Sequence, residues 1–194
     1  MIAYLTGIYT TKTPSFVHID VQGVGYEVQI SLNTYSKIQE LKQGTLLTYL
    51  QIKEDGHTLF GFSEMAEKQL FIQLINVNGV GASTARMMLS SMQPHELSNA
   101  IASGNTVALE RIKGIGKKSA ERIILELRDK MVKAGNEVVN QGFTHNTLET
   151  DALNALMALG IQKGQAEAAL KKARSSSSED MNLELLIKKS LQFI

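Results

Sequence analysis

The chain has 194 residues, of which 43% are hydrophobic, and a formal net charge of +1. This length allows one large domain or two to three small ones with buried cores, and the absence of cysteine excludes disulfide bonds and thiolate zinc sites. Because neither a run of about eighteen apolar residues nor a secretory signal is present, we expect a cytoplasmic protein without a membrane segment.

Residues 1–62 show the alternation of apolar and polar side chains that is typical of β-strands. Strands are predicted at 2–9, 15–21, 25–31, 45–52 and 57–62. We expect Gly23 and Gly25 to form the second turn, and Asn33 to cap a short helix between the third and fourth strands. Five short strands favour a closed barrel, with an OB-fold as first choice and an SH3-like barrel as second, since strand count alone does not separate them.

Residues 63–133 change to the apolar spacing of helices and predict a compact cluster of short ones. Ser63 is the expected N-cap of the first helix, and Pro94 marks the start of another. This segment holds ten basic and seven acidic side chains, whereas each flanking segment has a net charge of −1. Eight of the ten basic residues lie at 109–133, so a phosphate-binding surface is expected there.

The last third contains a break and then three further helical segments. Residues 134–147 are rich in Gly, Asn and Thr and predict a flexible linker. Residues 148–194 hold three apolar segments separated by small residues, including the serines at 175–178, and predict a three-helix, UBA-like bundle. The predicted fold class is therefore multidomain α+β: a barrel, a helical domain and a small bundle.

The helical domain contains an internal repeat, in which residues 74–89 align with residues 109–124 at a constant offset of 35. Each copy is a helix, a Gly-aliphatic-Gly bend, a hydroxyl residue, an alanine and a second helix, so the repeat predicts tandem helix-hairpin-helix motifs. Glycine tolerates positive φ and lacks a Cβ, which allows a tight reversal and a close approach of the backbone to a ligand.

The helix after each bend presents unpaired N–H groups and the positive end of its dipole, which together can hold a phosphate oxygen. In the second copy, Lys117 and Lys118 stand at a helix start, where basic charge is unfavourable unless an anion lies nearby. One Gly-x-Gly between helices is more often a simple connection, but two copies in register favour DNA binding. Backbone contacts of this kind read shape rather than base sequence.

Enzymatic alternatives find less support in the sequence. Gly116–Ser119 lacks the order of a nucleotide-binding loop, and residues 72–142 contain no aromatic side chain to stack an extruded base, as a glycosylase requires. A nuclease would need clustered carboxylates for Mg²⁺, and Glu54 and Asp55 are the only adjacent acids at 1–62. A scaffold that binds peptide or RNA through the barrel leaves the repeat unexplained. The four histidines lie far apart, so no metal or other cofactor is expected.

The order of barrel, doubled hairpin and tethered bundle resembles the RuvA family, the Holliday-junction-binding subunits of bacterial RuvAB branch-migration complexes. The segments that carry the resemblance are MIAYLTG (1–7), GVGYEV (23–28), KEDGHTLFGF (53–62), NGVG (78–81) and GIGKKSAERI (114–123). The resemblance covers essentially the whole chain. It implies a non-catalytic protein that binds four-way junctions without sequence preference, holds them open and planar, and positions the RuvB ATPase in recombination and repair.

The resemblance also implies roles for individual residues. The first DNA-binding hairpin would comprise Asn78, Gly79, Val80 and Gly81, and the second would comprise Lys113, Gly114, Ile115, Gly116, Lys117 and Lys118. Glu54 and Asp55 would form an acidic pin at the crossover of the junction. Ala82 and Ser83 depart from the Pro-Lys that members often carry, so the first hairpin is expected to depend more on backbone donors.

The partners implied by the resemblance are Holliday junction DNA, the hexameric RuvB ATPase bound through the C-terminal domain, and the RuvC resolvase. The implied assembly is a homotetramer with the barrels at its centre, or an octamer of two tetramers face to face.

Overall fold

The computed structural model describes residues 1–54, 56–140, 148–175 and 182–194. The chain divides into two compact units, Met1–Gly135 and Asn136–Ile194. In these described ranges, no helix combines the length and the apolar character needed to cross a membrane.

The strands of the first unit form a closed barrel. They are β1 (Tyr4–Lys12), β2 (Phe16–Val21), β3 (Val24–Ile30), β4 (Gln43–Lys53) and β5 (Gly56–Phe62). Their order around the barrel is β1-β2-β3-β5-β4, with β1 antiparallel to β4 and β3 parallel to β5. This connectivity is of the OB type, so the first of the two barrel predictions is confirmed. Alternate side chains of the strands fill the interior, among them Val17, Ile19, Val28 and Ile30.

The turn between β2 and β3 differs from the prediction. Gln22 and Gly23 form it, with φ of 53° and 88°, whereas Gly25 lies within β3 and pairs with Asp20 of β2. A two-residue hairpin turn of this kind requires positive φ at both positions, and glycine meets that requirement only at the second. Gln22 therefore adopts a backbone conformation that non-glycine residues rarely occupy.

Two predicted helix caps are wrong. The short helix α1 (Leu32–Ile38) is capped by Ser31, whose Oγ accepts a hydrogen bond of 3.0 Å from the backbone N–H of Thr34. Asn33 lies inside the helix and bonds elsewhere. The helix α2 (Met65–Ile75) begins after Glu64, and Ser63 Oγ is buried without a hydrogen-bond partner among the residues described. The Ser63 backbone N–H instead donates to Thr34 Oγ1 at 3.1 Å.

The remaining helices of the first unit pack around an apolar core that includes Phe60 and Phe62 of β5, whereas the barrel interior forms a separate cluster. They are α3 (Ala82–Ser91), α4 (Pro94–Ala102), α5 (Thr106–Glu110) and α6 (Lys117–Asn140). Pro94 is the first residue of α4, as predicted. Phe60 and Phe62 of β5 pack on Phe71 of α2, with ring centroids 5.0 and 4.9 Å apart respectively. This aromatic cluster joins the barrel to the helical domain.

The second unit contains the predicted bundle. Its helices are α7 (Leu148–Ala158), α8 (Lys163–Ser175) and α9 (Leu183–Leu191), and they pack around Leu156, Leu170 and Leu186. Helix α6 extends to Asn140, so residues 134–140 of the predicted linker are helical. Residues 141–147 of that linker lie outside the described part of the chain, as do the serines at 176–178.

Candidate nucleic-acid interface

The two glycine bends have the same backbone geometry. Gly79 has a φ of 86° and Gly114 a φ of 92°, values at which glycine carries no steric penalty. The bend hydrogen bond from Val80 N to Val77 O measures 3.0 Å, and the equivalent bond from Ile115 N to Ile112 O has the same length. The 35-residue repeat is therefore a repeat of structure as well as of sequence, and the tandem hairpin prediction is confirmed.

The aliphatic residue between each glycine pair points into the protein. Val80 and Ile115 are both only 5% exposed and belong to the core of the helical domain. The residues around them, including Asn78 and Lys113, are exposed. Each bend is thus fixed to the core by one side chain while its glycines are exposed.

A helix begins directly after each bend. The carbonyl of Gly81 accepts the first intrahelical bond of α3 at 2.9 Å, and that of Gly116 accepts the first bond of α6 at 3.0 Å. The N–H groups of each first turn have no partner within their helix, and glycine has no side chain with which to cap them. A Cβ at Gly81 or Gly116 would meet no atom of the described chain within 4 Å. Packing among the described residues therefore does not require glycine at these two positions, and the space beside each bend is open to a ligand.

The charge around the two bends is unequal. Lys113, Lys117 and Lys118 are all exposed around the second bend. At the first bend Ala82 is only 6% exposed, and the exposed position that corresponds to Lys118 is Ser83. The helix after the first bend therefore begins without a lysine, and the greater dependence of the first hairpin on backbone donors stays a prediction.

A cation reaches the first bend from the second hairpin. Arg122 of α6 donates through Nη1 to the carbonyl of Asn78 at 3.1 Å, and the same atom lies 3.5 Å from where a Cβ on Gly79 would be. The sequence alone is equally consistent with a solvated helix face for Arg122. Its equivalent in the first copy is Met87, whose side chain has no N–H donor. Alignment of the two copies therefore marks Arg122 as a difference but does not reveal its partner.

The predicted acidic pin lies at the turn between β4 and β5. Lys53 pairs with Gly56 across the hairpin, and Gly56 is the first residue of β5. Glu54 is exposed in this turn, and Asp55 lies outside the described residues. Elsewhere in the described ranges, no three His, Asp or Glu side chains come together as metal ligands.

A buried carboxylate lies where the barrel meets the helical domain. Glu67 of α2 is 1% exposed and accepts hydrogen bonds from Ser31 Oγ and from Thr34 Oγ1, the latter at 2.7 Å. Burial raises the pKa of the Glu67 carboxyl above its ordinary value, and the two hydroxyl donors offset only part of this rise. Sequence reasoning missed this group, because Glu67 in a surface-like pattern shows no sign of burial.

Comparison with known proteins agrees with the order of these elements. Family models match at residues 1–61 (RuvA N terminal domain), 71–129 (SAM-like helix-hairpin-helix tandem) and 147–194 (RuvA, C-terminal domain). The Holliday junction branch migration complex subunit RuvA of Cytophaga hutchinsonii is 44% identical over 99% of both chains. The subunits of the same name from Amoebophilus asiaticus and Christiangramia forsetii are 42% and 44% identical, over 99% of this chain and 100% and 99% of theirs.

These relatives match from end to end, and the matched helix-hairpin-helix segment contains both glycine bends. On these grounds, the chain belongs to the RuvA family.

Proposed function

We propose that this chain is a DNA-binding subunit that recognises four-way Holliday junctions by shape and positions a separate ATPase motor for branch migration. One observation carries the proposal: two bends of closely similar backbone geometry direct the N-termini of α3 and α6 toward solvent, and exposed lysines surround the second bend. The names of the relatives, which describe subunits of a branch migration complex, add support. The protein itself is non-catalytic, and ATP hydrolysis takes place in RuvB.

The two bends grip the sugar-phosphate backbone of one junction arm. Amide hydrogens at each helix start donate to phosphate oxygens, and Lys117 and Lys118 add charge at the second bend. Neither type of interaction reads a base edge, so affinity is independent of sequence. Preference for a junction then arises because several subunits present their pairs of bends at once, in an arrangement that matches the crossing arms.

Membership of the RuvA family supports the remaining parts of the proposed assembly. Four copies associate through their barrels, either as one tetramer or as two tetramers face to face, so that four pairs of bends meet four arms. The helical bundle of the second unit recruits RuvB, and the RuvC resolvase acts on the same junction. Mass measurement of the free protein and of its DNA complex distinguishes the tetramer from the octamer.

The test is a titration of the full chain with a four-way junction and with a duplex of equal length, each with and without Mg²⁺. We expect a strong preference for the junction and intact DNA strands in every sample. Cleavage that depends on Mg²⁺ would indicate a nuclease instead, and equal affinity for both DNAs would contradict junction recognition.

The acidic pin provides a sharper prediction. Four copies would gather the carboxylates of Glu54 and Asp55 at the crossover, where they repel phosphates and disfavour continuous duplex. The double change Glu54→Gln with Asp55→Asn is expected to raise affinity for duplex and to reduce the preference for the junction. Gel-shift titration of both DNAs measures this, and an equal loss of affinity for the two would contradict a role in selectivity.

A further inference from the structure

Helix α3 follows the first bend, and a residue near the middle of this helix contacts the barrel. Arg86 donates through Nη1 to the carbonyl of Ser15 at 2.8 Å and to Gln29 Oε1 at 2.5 Å. Ser15 lies just before β2 and Gln29 lies in β3, so one guanidinium contacts two parts of the barrel wall. Charge and planar geometry make such a contact more directional than that of a lysine.

The far end of α3 is attached to the barrel by Asn33 of α1. The Asn33 side-chain amide donates to the carbonyl of Leu89 at 2.5 Å and to that of Met92 at 2.9 Å, and its Oδ1 accepts from Gln93 Nε2 at 2.7 Å. The last carbonyls of a helix have no partner within it. Asn33 therefore donates hydrogen bonds to carbonyl groups at the end of α3 and at the same time connects that end to the barrel.

The second hairpin has no equivalent attachment among the described residues. The repeat places Glu121 at the position of Arg86 and Leu125 at the position of Ser90. Ser90 Oγ accepts a hydrogen bond from the backbone N–H of Leu32 at 3.1 Å, whereas Leu125 is 84% exposed. Among the described residues, these polar contacts with the barrel are therefore made by the first hairpin, whose helix α3 begins without lysines.

Three sets of contacts between described residues hold the helical domain on the barrel. Glu67 of α2 accepts hydrogen bonds from Ser31 and Thr34 at the start of α1. The aromatic cluster of Phe60, Phe62 and Phe71 connects α2 to β5, and the polar contacts of Arg86 and Asn33 connect α3 to the barrel wall and α1. The contacts of Glu67 and of the aromatic cluster hold α2, whereas those of Arg86 and Asn33 act on α3 itself. The contacts on α3 therefore help to fix the direction in which α3, and with it the first bend, points relative to the barrel.

We propose that Asn33 and Arg86 are positioning residues that aim the first glycine bend relative to the barrel and thereby determine the preference for junctions over duplex. The role rests on the proposed function. Backbone amides bind a phosphate only where the backbone places them, whereas a lysine can adjust its side chain. The affinity of a phosphate site made of amides therefore depends more on a fixed position. A duplex arm needs only the two bends, whose spacing is held by their shared core. A junction engages the bends and the central barrels together.

The geometric part is tested without DNA. The chain contains no cysteine, so pairs of spin labels can be placed freely for distance measurement by pulsed electron paramagnetic resonance. Labels at Lys53→Cys and Ser83→Cys span the barrel and α3, and labels at Ser83→Cys and Lys118→Cys span the two bends. We expect Asn33→Ala, and separately Arg86→Met, to broaden the first distance distribution and to leave the second unchanged. An unchanged first distribution in both folded variants overturns the proposal.

The functional part compares junction and duplex. Asn33→Ala and Arg86→Met are each expected to weaken junction binding about tenfold, the order expected when hydrogen bonds of this kind are removed, with duplex binding changed by less than about twofold. The dependence of junction affinity on salt should stay the same, because neither side chain binds a phosphate. Ser36→Ala serves as control, since Ser36 Oγ donates within α1 to the Leu32 carbonyl and to no other described residue. This variant should bind like the wild type.

Equal loss of affinity for both DNAs indicates general destabilisation and overturns the proposal. A wild-type chain that shows no preference for junctions contradicts the proposed function instead, and the label distances still decide whether Asn33 and Arg86 aim the first bend.

Discussion

Lys118 sits in the first turn of α6, where the helix dipole makes a positive charge unfavourable unless an anion is near. We predict that Lys118→Ala weakens junction binding and lowers the slope of log affinity against log salt by about one for each phosphate that the lysine neutralises in the wild type. Titrations at several salt concentrations measure the slope. Lys130→Ala is the matched control, since Lys130 is exposed on the same helix but lies more than two turns from the bend. An unchanged slope for Lys118→Ala would mean that this lysine faces only solvent.

At the scale of single residues, the sequence predicts features that depend on local backbone conformation. It does not predict hydrogen bonds that a long side chain makes with a residue far away in the sequence. Both bends and their buried anchors, Val80 and Ile115, follow from glycines and aliphatic residues at a fixed spacing. The interaction of Arg122 with the Asn78 carbonyl does not, because it joins residues 44 positions apart. The expected role of Asn33 is wrong for the same reason: asparagine is a good cap, and nothing local shows that its amide reaches α3.

At the scale of elements, the contact between α1 and α2 carries a prediction about pH. The pKa of Glu67 is raised by burial, so the folded chain holds this proton more tightly than the unfolded chain does. The stability contributed by that proton is fully present below the unfolded pKa, about 4.3, and is lost as the pH rises through the higher folded value. The free energy of unfolding of the wild type relative to Glu67→Gln should therefore decrease between pH 4 and neutrality.

Urea unfolding of both chains across this pH range measures the difference. A difference that instead moves in favour of the wild type as the pH rises would mean that the hydroxyl donors Ser31 and Thr34 outweigh burial and lower the pKa of Glu67.

The positions of the elements are predictable where a period is clear. Alternation places all five strands of the described barrel to within a few residues, and their connectivity then separates the OB arrangement from the SH3-like one, which strand count cannot do. The end of α6 is less predictable, since Gly135 and the asparagines that follow suggest a linker. One glycine inside a helix costs only about 1 kcal/mol, which does not end a helix of 24 residues.

At the scale of the whole molecule, truncation tests whether the first unit binds junctions and the second unit recruits RuvB. Met1–Gly135 contains the barrel, both bends and their common core, and Asn136–Ile194 is compact in its own right. A chain that ends at Asn140 is predicted to bind junctions as the full chain does but to lose recruitment and stimulation of RuvB. Junction titration and RuvB ATPase assays compare the two chains. Stimulation that survives the truncation would place the RuvB-binding surface in the first unit.

The central claim is that the amide groups of both glycine bends hold DNA phosphates, and amide hydrogen exchange measures this most directly. Exchange at residues 79–83 and 114–118 should be compared in the free full chain and in its complex with a four-way junction. The claim predicts slower exchange at both bends in the complex. Unchanged exchange at both bends while the junction is bound would contradict it.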